Sequence, residues 1–237
     1  MQTRLSPFLL TLWLVLYAKS TFVYAQTDNY VDVNVSAITL SGGIKDLKYE
    51  SNGAVESLNV FNSVRSETFR YIGPPELTFF RELPPGEGGA EPRRRIVGKM
   101  SIPKKSGDFL AVFIKSPSER ERYRVKAIPD DVTTFKPGMY RFLNLTPYQI
   151  AIQIGETRSV VPRNGYKDVE NRGEEGQYQN TVMVSLPKQE GDEQVRPYRV
   201  FKGSLFYSSR LRTMYIFTPI EGGRPGRVQF SEIRESL

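Results

Sequence analysis

Four cations occupy alternate positions in one short stretch of the chain, a spacing that suits the binding of anions. We call them the basic ladder: Arg120, Arg122, Arg124 and Lys126. Residues two apart in a β-strand lie on the same face, about 6.6 Å from each other. The four side chains would then form a row that could hold a polyanion. A row of like charges also protects an exposed strand edge from pairing with other strands. The sequence favours edge protection and leaves anion binding open.

The chain contains no histidine and no cysteine, which narrows its possible chemistry. Histidine is the usual general base near neutral pH, and both residues are common zinc ligands. Thiolate catalysis and the usual zinc sites are therefore excluded. No nucleophile elbow, phosphate-binding loop or dinucleotide-binding glycine motif is present. The sequence predicts a non-enzymatic protein with no catalytic residues, no metal and no cofactor.

The alternative from another class is a secreted hydrolase that uses paired carboxylates. Such an enzyme needs a cleft that holds two carboxyl groups about 5 to 10 Å apart. The acidic residues follow no pattern that would identify such a pair, so the alternative stays open.

One acidic segment could in principle bind Ca²⁺ through oxygen ligands. Its carboxylates are Asp168, Glu170, Glu174 and Glu175. They lack the fixed spacing of an EF-hand loop, which favours a solvated acidic loop instead.

Two segments match the N-glycosylation pattern, Asn34-Val-Ser and Asn144-Leu-Thr. The pattern is common by chance and matters only in a host that glycosylates. Asn144 is better explained as a turn residue, because asparagine tolerates the left-handed conformation and its side chain can close a local turn.

The elements that would position these residues are β-strands. Valines 31, 33 and 35 alternate with polar residues, and the turn signals at 41–43 and 51–53 follow at hairpin intervals. Residues 30–83 therefore predict about five strands. Further along, 109–114 is apolar on both faces, which is typical of a strand buried in the middle of a sandwich.

Residues 148–154 alternate with the aliphatic side chains on one face. A turn at 144–147 should connect this strand to 139–143. No sustained helical period occurs. The pattern predicts an all-β fold of two small antiparallel β-sandwich-like (Ig-like) units with few or no helices.

The segment 84–95 reads as a linker or long loop, because its prolines and glycines cannot build a ladder. It would divide an N-terminal β unit, 26–83, from a C-terminal sandwich, 96–237. The arginines at 93–95 would be a solvated approach to a strand at 96–102, or a patch facing phosphate or glycan.

Two stretches resemble a group of uncharacterised secreted bacterial β-sandwich proteins. The first runs from Asp130 through Thr-Thr-Phe-Lys-Pro-Gly to Pro147, followed by an alternating strand that ends at Gly155. The second is Ser66 to Leu77, so the similarity covers most of the chain after residue 25. The motifs are turn and core residues. The resemblance implies a β-sandwich and no particular activity.

Residues 1–25 are typical of a secretory signal peptide. Arg4 provides the positive start, 8–18 is apolar, and Val23 and Ala25 fit the small-residue rule for cleavage. An uncleaved membrane anchor is the other interpretation, but the apolar run is about half the roughly 20 residues that a span needs. We expect cleavage after Ala25, no transmembrane anchor afterwards, and a secreted or periplasmic location.

The chain after Ala25 has 31 basic and 26 acidic residues, a modest positive excess. The basic residues are spread along the chain and interleaved with acids. The sequence therefore predicts a binding or structural role in the cell envelope or extracellular space. The expected partners are an anionic polysaccharide or another envelope protein, and nucleic acid is disfavoured.

Overall fold

Every regular element in the described part of the computed structural model is a β-strand. The structure describes residues 30–84, 93–116, 122–170, 173–186 and 197–236. These ranges contain 16 strands and no helices. The prediction of an all-β fold of two sandwich-like units is confirmed. The expected signal peptide, 1–25, lies outside the described residues.

The strands fall into two sets of eight. The first set is β1 (Val31–Thr39), β2 (Ile44–Ser51), β3 (Ala54–Val60), β4 (Phe69–Gly73), β5 (Glu76–Leu83), β6 (Arg93–Ser101), β7 (Ser106–Lys115) and β8 (Tyr123–Pro129). The second set is β9 (Met139–Asn144), β10 (Gln149–Ile154), β11 (Thr157–Val161), β12 (Tyr166–Glu170), β13 (Tyr178–Leu186), β14 (Tyr198–Phe206), β15 (Leu211–Pro219) and β16 (Val228–Ser236).

Each set builds two four-stranded sheets, and the two sets have the same strand order. In unit 1, formed by β1 to β8, the orders are β4-β1-β7-β8 and β3-β2-β5-β6. In unit 2, formed by β9 to β16, they are β12-β9-β15-β16 and β11-β10-β13-β14. Every strand of unit 2 thus takes the place of the strand eight earlier. The described chain is a tandem repeat of one topology.

One strand pair in each unit is parallel, which differs from the predicted antiparallel arrangement. β1 pairs with β7 in unit 1, and β9 pairs with β15 in unit 2. The members of each pair are far apart in sequence, as in Val35 opposite Phe109. Parallel neighbours need a long connection, and here the other strands of the unit provide it.

A separate hydrophobic core lies between the two sheets of each unit. In unit 1 it includes Val33, Leu47 and Phe113. In unit 2 it includes Phe142 and Ile152. The alternation that the sequence shows in β1 and β10 points the aliphatic residues into these cores, as predicted.

A third hydrophobic cluster joins the two units. It is formed by Ile38, Leu110, Val112, Ile128, Phe135, Leu143, Leu145, Met214, Ile216 and Ile233. Most of these residues belong to the sheets β4-β1-β7-β8 and β12-β9-β15-β16, which we call the junction sheets. The face of each junction sheet that points away from the third cluster packs on the core of its own unit. The strand 109–114 is apolar on both faces because one face meets the core of unit 1 and the other meets unit 2.

The strand pairing groups residues 31–129 in unit 1, whereas the sequence predicted a division at 84–95. β6 pairs with β5, and β7 lies beside β1, so strands from both sides of that segment share sheets. Arg93 to Arg95 belong to β6 and do not precede it. Arginine fits there because Arg94 lies over the Phe80 ring, 4.5 Å from its centroid. Residues 85–92 lie outside the described residues.

Candidate functional site: the basic ladder and the ion cluster at the unit junction

Two members of the basic ladder, Arg124 and Lys126, lie on β8, and Arg122 directly precedes that strand. β8 ends the order β4-β1-β7-β8, and within that sheet it pairs with β7, with Arg124 opposite Ile114. Arg122 and Arg124 are exposed. The carbonyl of Arg122 accepts a hydrogen bond from the Ser116 amide at 2.9 Å. This bond continues the pairing of β7 and β8 by one residue. Arg120 lies outside the described residues.

The ladder points toward unit 2. Arg124 and Lys126 share a face of β8 with Ile128, which is part of the third hydrophobic cluster. On the opposite face, Val125 is buried in the core of unit 1. Along the ladder, Arg122 therefore lies in solvent and Lys126 lies at the junction of the two units.

Lys126 is bonded to the second unit. Its Nζ donates a hydrogen bond to the carbonyl oxygen of Asn164, in the turn between β11 and β12. Burial lowers the pKa of Lys126, and the charge of Arg124 lowers it further. Lys126 therefore connects the two units, and Arg122 and Arg124 are the exposed cations of the described part of the ladder.

A buried ion cluster begins four residues after Lys126, centred on the carboxylate of Asp130. Arg65 donates to both oxygens of Asp130, with Nη2 at 3.1 Å from Oδ1. Arg212 Nη2 lies 3.4 Å from Oδ2, and Arg141 Nη1 lies 3.8 Å from Oδ1. Asp130 is only 6% exposed, so these three guanidinium groups take the place of water around it.

Two further carboxylates balance the cluster. Asp168 accepts two hydrogen bonds at 2.7 Å from Arg141, its cross-strand neighbour. Glu235 accepts one at 2.7 Å from Arg212, also its cross-strand neighbour, and pairs with Arg65. The six charges sum to zero.

Aromatic contact and hydrogen bonding to the backbone complete the cluster. The guanidinium groups of Arg141 and Arg212 lie over the Phe135 ring, 4.3 and 5.3 Å from its centroid. Arg141 also donates to the Pro129 carbonyl, and Arg212 donates to the Asp130 carbonyl at 3.2 Å. Burial lowers the pKa of Arg212, which the charge of Asp130 partly offsets. The cluster holds the end of unit 1 against the junction sheet of unit 2.

Sequence reasoning missed this cluster as a site. Of its members only Asp168 was considered, as part of a calcium loop. The available signal was an arginine inside an apolar strand, Arg141 between Tyr140 and Phe142, because a buried cation requires a partner.

The four carboxylates of the acidic segment have different surroundings, and Glu170 is exposed at the end of β12. Asp168 is bound by Arg141. Glu174 accepts a hydrogen bond from Gln177 at 2.5 Å. Hydrogen bonds from Ser209 and Ser208 lower the pKa of Glu175 to about 2. Across the part of the chain that the structure describes, no group of three or more acidic residues is arranged to hold a metal ion.

A cleft of 560 Å³ in unit 1 contains two carboxylates, Glu50 and Glu76. A cleft that contains two carboxylates is the feature that the hydrolase alternative requires. Glu50 accepts a hydrogen bond from Arg94 at 2.8 Å, and Glu76 pairs with Lys99 at 2.7 Å. Each carboxylate of the cleft is therefore paired with its own cation.

The two glycosylation patterns lie in different surroundings. Asn144 is fully buried and closes the turn after β9: its Nδ2 donates to the carbonyls of Tyr148 and Pro162, at 2.6 and 3.0 Å. Its Oδ1 accepts from the amide and hydroxyl of Thr146, at 3.0 and 2.7 Å. The predicted closure of a turn by the Asn144 side chain is confirmed, but Asn144 is the last residue of β9 and does not adopt the left-handed conformation. Asn34 is exposed and donates to Asp108 at 2.9 Å.

Within the described ranges, no helix is long and apolar enough to cross a membrane.

No family model matches the chain, and no curated protein matches it. Among solved structures, human GIVD cytosolic phospholipase A2 is 10% identical with a TM-score of 0.23, over 79% of this chain and 29% of that one. The chain thus spans less than a third of the length of that phospholipase. The tip fimbrial protein Mfa3 from Porphyromonas gingivalis, with a C-terminal truncation, is 10% identical with a TM-score of 0.21, over 88% and 100%. Likenesses this weak support no inference, and the resemblance to secreted bacterial β-sandwich proteins stays a prediction.

Proposed function

We propose that this chain is an exported, non-enzymatic binding or structural protein of the cell envelope or extracellular space, and that it holds an anionic polysaccharide at Arg122 and Arg124, at the start of β8. The observation that carries the proposal is the placement of Arg122 and Arg124. Arg124 is exposed on β8, Arg122 is exposed directly before it, and the neighbouring Lys126 fixes β8 against unit 2.

The use of charge elsewhere supports binding over catalysis. The buried arginines Arg141 and Arg212 are matched by carboxylates within the ion cluster. The carboxylates of the cleft have their own cations. Hydrolysis by two carboxylates needs both carboxyl groups beside the substrate, whereas each carboxylate of the cleft is bonded to a cation.

Export is the part of this proposal that rests on residues 1–25. We expect the mature protein to begin at Gln26, since Val23 and Ala25 fit the cleavage rule better than any neighbouring pair. Mass spectrometry of the exported protein measures this directly. A mature species that retains a peptide containing Trp13 would show a membrane anchor instead.

Binding is tested by reversing the two exposed cations. We expect the double variant Arg122→Glu, Arg124→Glu to lose binding to polygalacturonate, an acidic polysaccharide, because attraction becomes repulsion along the strand. The fold should persist, since exposed charges contribute little to stability. Isothermal titration calorimetry at low salt gives the affinity, and circular dichroism confirms the fold.

The matched control is Arg158→Glu, Arg199→Glu. It changes net charge by the same amount at two exposed arginines of the other sheet of unit 2. It should retain most of the affinity. Equal loss in both double variants would mean that only net charge matters, and a parent protein that does not bind would refute the proposal. If the first variant still binds anionic lipid vesicles, then lipid binding does not use Arg122 and Arg124.

A further inference from the structure

The cleft of 560 Å³ in unit 1 has a rigid wall. It lies where the turn between β2 and β3 meets β4 and the strands β5 and β6. The amide of Asn52 donates to the carbonyl of Ile72 at 2.8 Å, and the amide of Ile72 donates to Ser51 Oγ at 3.0 Å. Asn52 and Gly53 adopt positive φ angles of 49° and 78°, as a tight hairpin turn requires. The turn is therefore held against β4.

Aromatic rings line this cleft. Tyr30 is 49% exposed although it is a large ring. The Tyr71 hydroxyl donates to the Pro74 carbonyl at 2.8 Å, and burial raises its pKa to about 12, so it stays a neutral donor. Phe80 is buried beneath the guanidinium group of Arg94. The lining thus combines one accessible ring with two that stiffen the wall.

The polar groups of the cleft are planar and paired. Glu50 and Arg94 form an ion pair at 2.8 Å, and both side chains are about half exposed. The Phe80 ring holds the Arg94 guanidinium in place from below. Acceptor oxygens and donor nitrogens therefore lie side by side in a fixed orientation. Since the lining has two carboxylates and one guanidinium, it does not favour an anionic ligand.

We infer that this cleft binds a neutral oligosaccharide. A sugar ring has apolar faces that stack on an aromatic side chain and hydroxyl edges that donate and accept hydrogen bonds. Tyr30 provides the ring, and the Glu50 and Arg94 pair provides the acceptors and donors. This site is separate from Arg122 and Arg124 and does not depend on the proposed function.

The test measures binding of the chain from Gln26 to three neutral hexasaccharides: a β-1,4-glucose, an α-1,4-glucose and an N-acetylglucosamine hexamer. We expect at least one to bind in isothermal titration calorimetry. Tyr30→Ala should weaken that binding about tenfold, the scale of a lost aromatic contact. Arg94→Ala should weaken it as well, because the donors and the orientation of Glu50 are lost together.

The matched control is Tyr178→Ala, which removes a tyrosine that is 70% exposed in unit 2. It should leave the affinity unchanged, as should the double variant Arg122→Glu, Arg124→Glu. The second result distinguishes this site from the polysaccharide site on β8. Failure of all three hexasaccharides to bind, or equal weakening by Tyr30→Ala and Tyr178→Ala, would overturn the inference.

Discussion

Replacing Asp130 by asparagine is expected to lower the free energy of unfolding by about 3 to 5 kcal/mol, the usual cost of breaking a buried ion pair from one side. Asp130 is the carboxylate that three guanidinium groups share, from Arg65, Arg141 and Arg212. The amide has nearly the same volume, so packing is kept while the charge is lost. Without the charge of Asp130, the three arginines would repel one another, and only two carboxylates would remain to balance them.

Urea unfolding followed by circular dichroism measures this change. The control is Asp32→Asn, which breaks the exposed ion pair between Asp32 and Arg70, 2.6 Å apart on the surface. An exposed pair contributes little, so this variant should unfold near the parent midpoint. If the two variants unfold at the same urea concentration, the cluster does not stabilise the junction.

Replacing Asn144 by alanine is expected to cost about 2 to 4 kcal/mol, because four hydrogen bonds are lost together and the buried amide of Thr146 loses its acceptor. The carbonyls of Tyr148 and Pro162 lose a donor, and the amide of Thr146 loses an acceptor. Because Asn144 is fully buried, the space that its side chain leaves is closed to bulk water.

The same unfolding experiment serves for Asn144→Ala. Its counterpart is Asn34→Ala, because Asn34 belongs to the other glycosylation pattern but is exposed and makes one bond, to Asp108. That change should stay within about 0.5 kcal/mol of the parent. A similar small cost for Asn144→Ala would show that its hydrogen bonds do not hold the turn.

Much of the strand content could be predicted because local pattern determines it. The alternating valines of β1 and the isoleucines of β10 show period two, and the turns at Asn52-Gly53 and Asn144 carry residues suited to them. Residues 30–83 indeed contain five strands. The short strands β11 and β12 were not predicted, since most of their side chains are exposed and show no apolar alternation.

The assignment of strands to units could not be predicted, because it depends on pairing between distant segments. β1 lies beside β7, and a residue near 35 has no local signal for a partner near 109. The segment 84–95 indicated a boundary because its prolines and glycines cannot build a ladder, but β5 and β6, on either side of residues 85–92, pair with each other. The repeated topology was equally hidden, since it is a repeat of pairing order.

The ion cluster could not be predicted for the same reason, because it depends on contacts between distant segments. Its six members are dispersed from Arg65 to Glu235, and the fold brings them together from both units. The placement of Arg124 and Lys126 on one face of a strand was predictable, because period-two geometry is local. The bond of Lys126 to Asn164 was not, since it depends on how the second unit lies against the first.

The most direct test of the proposed function is the salt dependence of binding between the chain from Gln26 and polygalacturonate. We expect clear binding in calorimetry at about 20 mM NaCl, weakened tenfold or more at about 150 mM, because cations that neutralise a polyanion act through attraction and counterion release. An affinity that does not change with salt, or an absence of binding at the lower concentration, would contradict the assignment of Arg122 and Arg124 to an anionic polysaccharide.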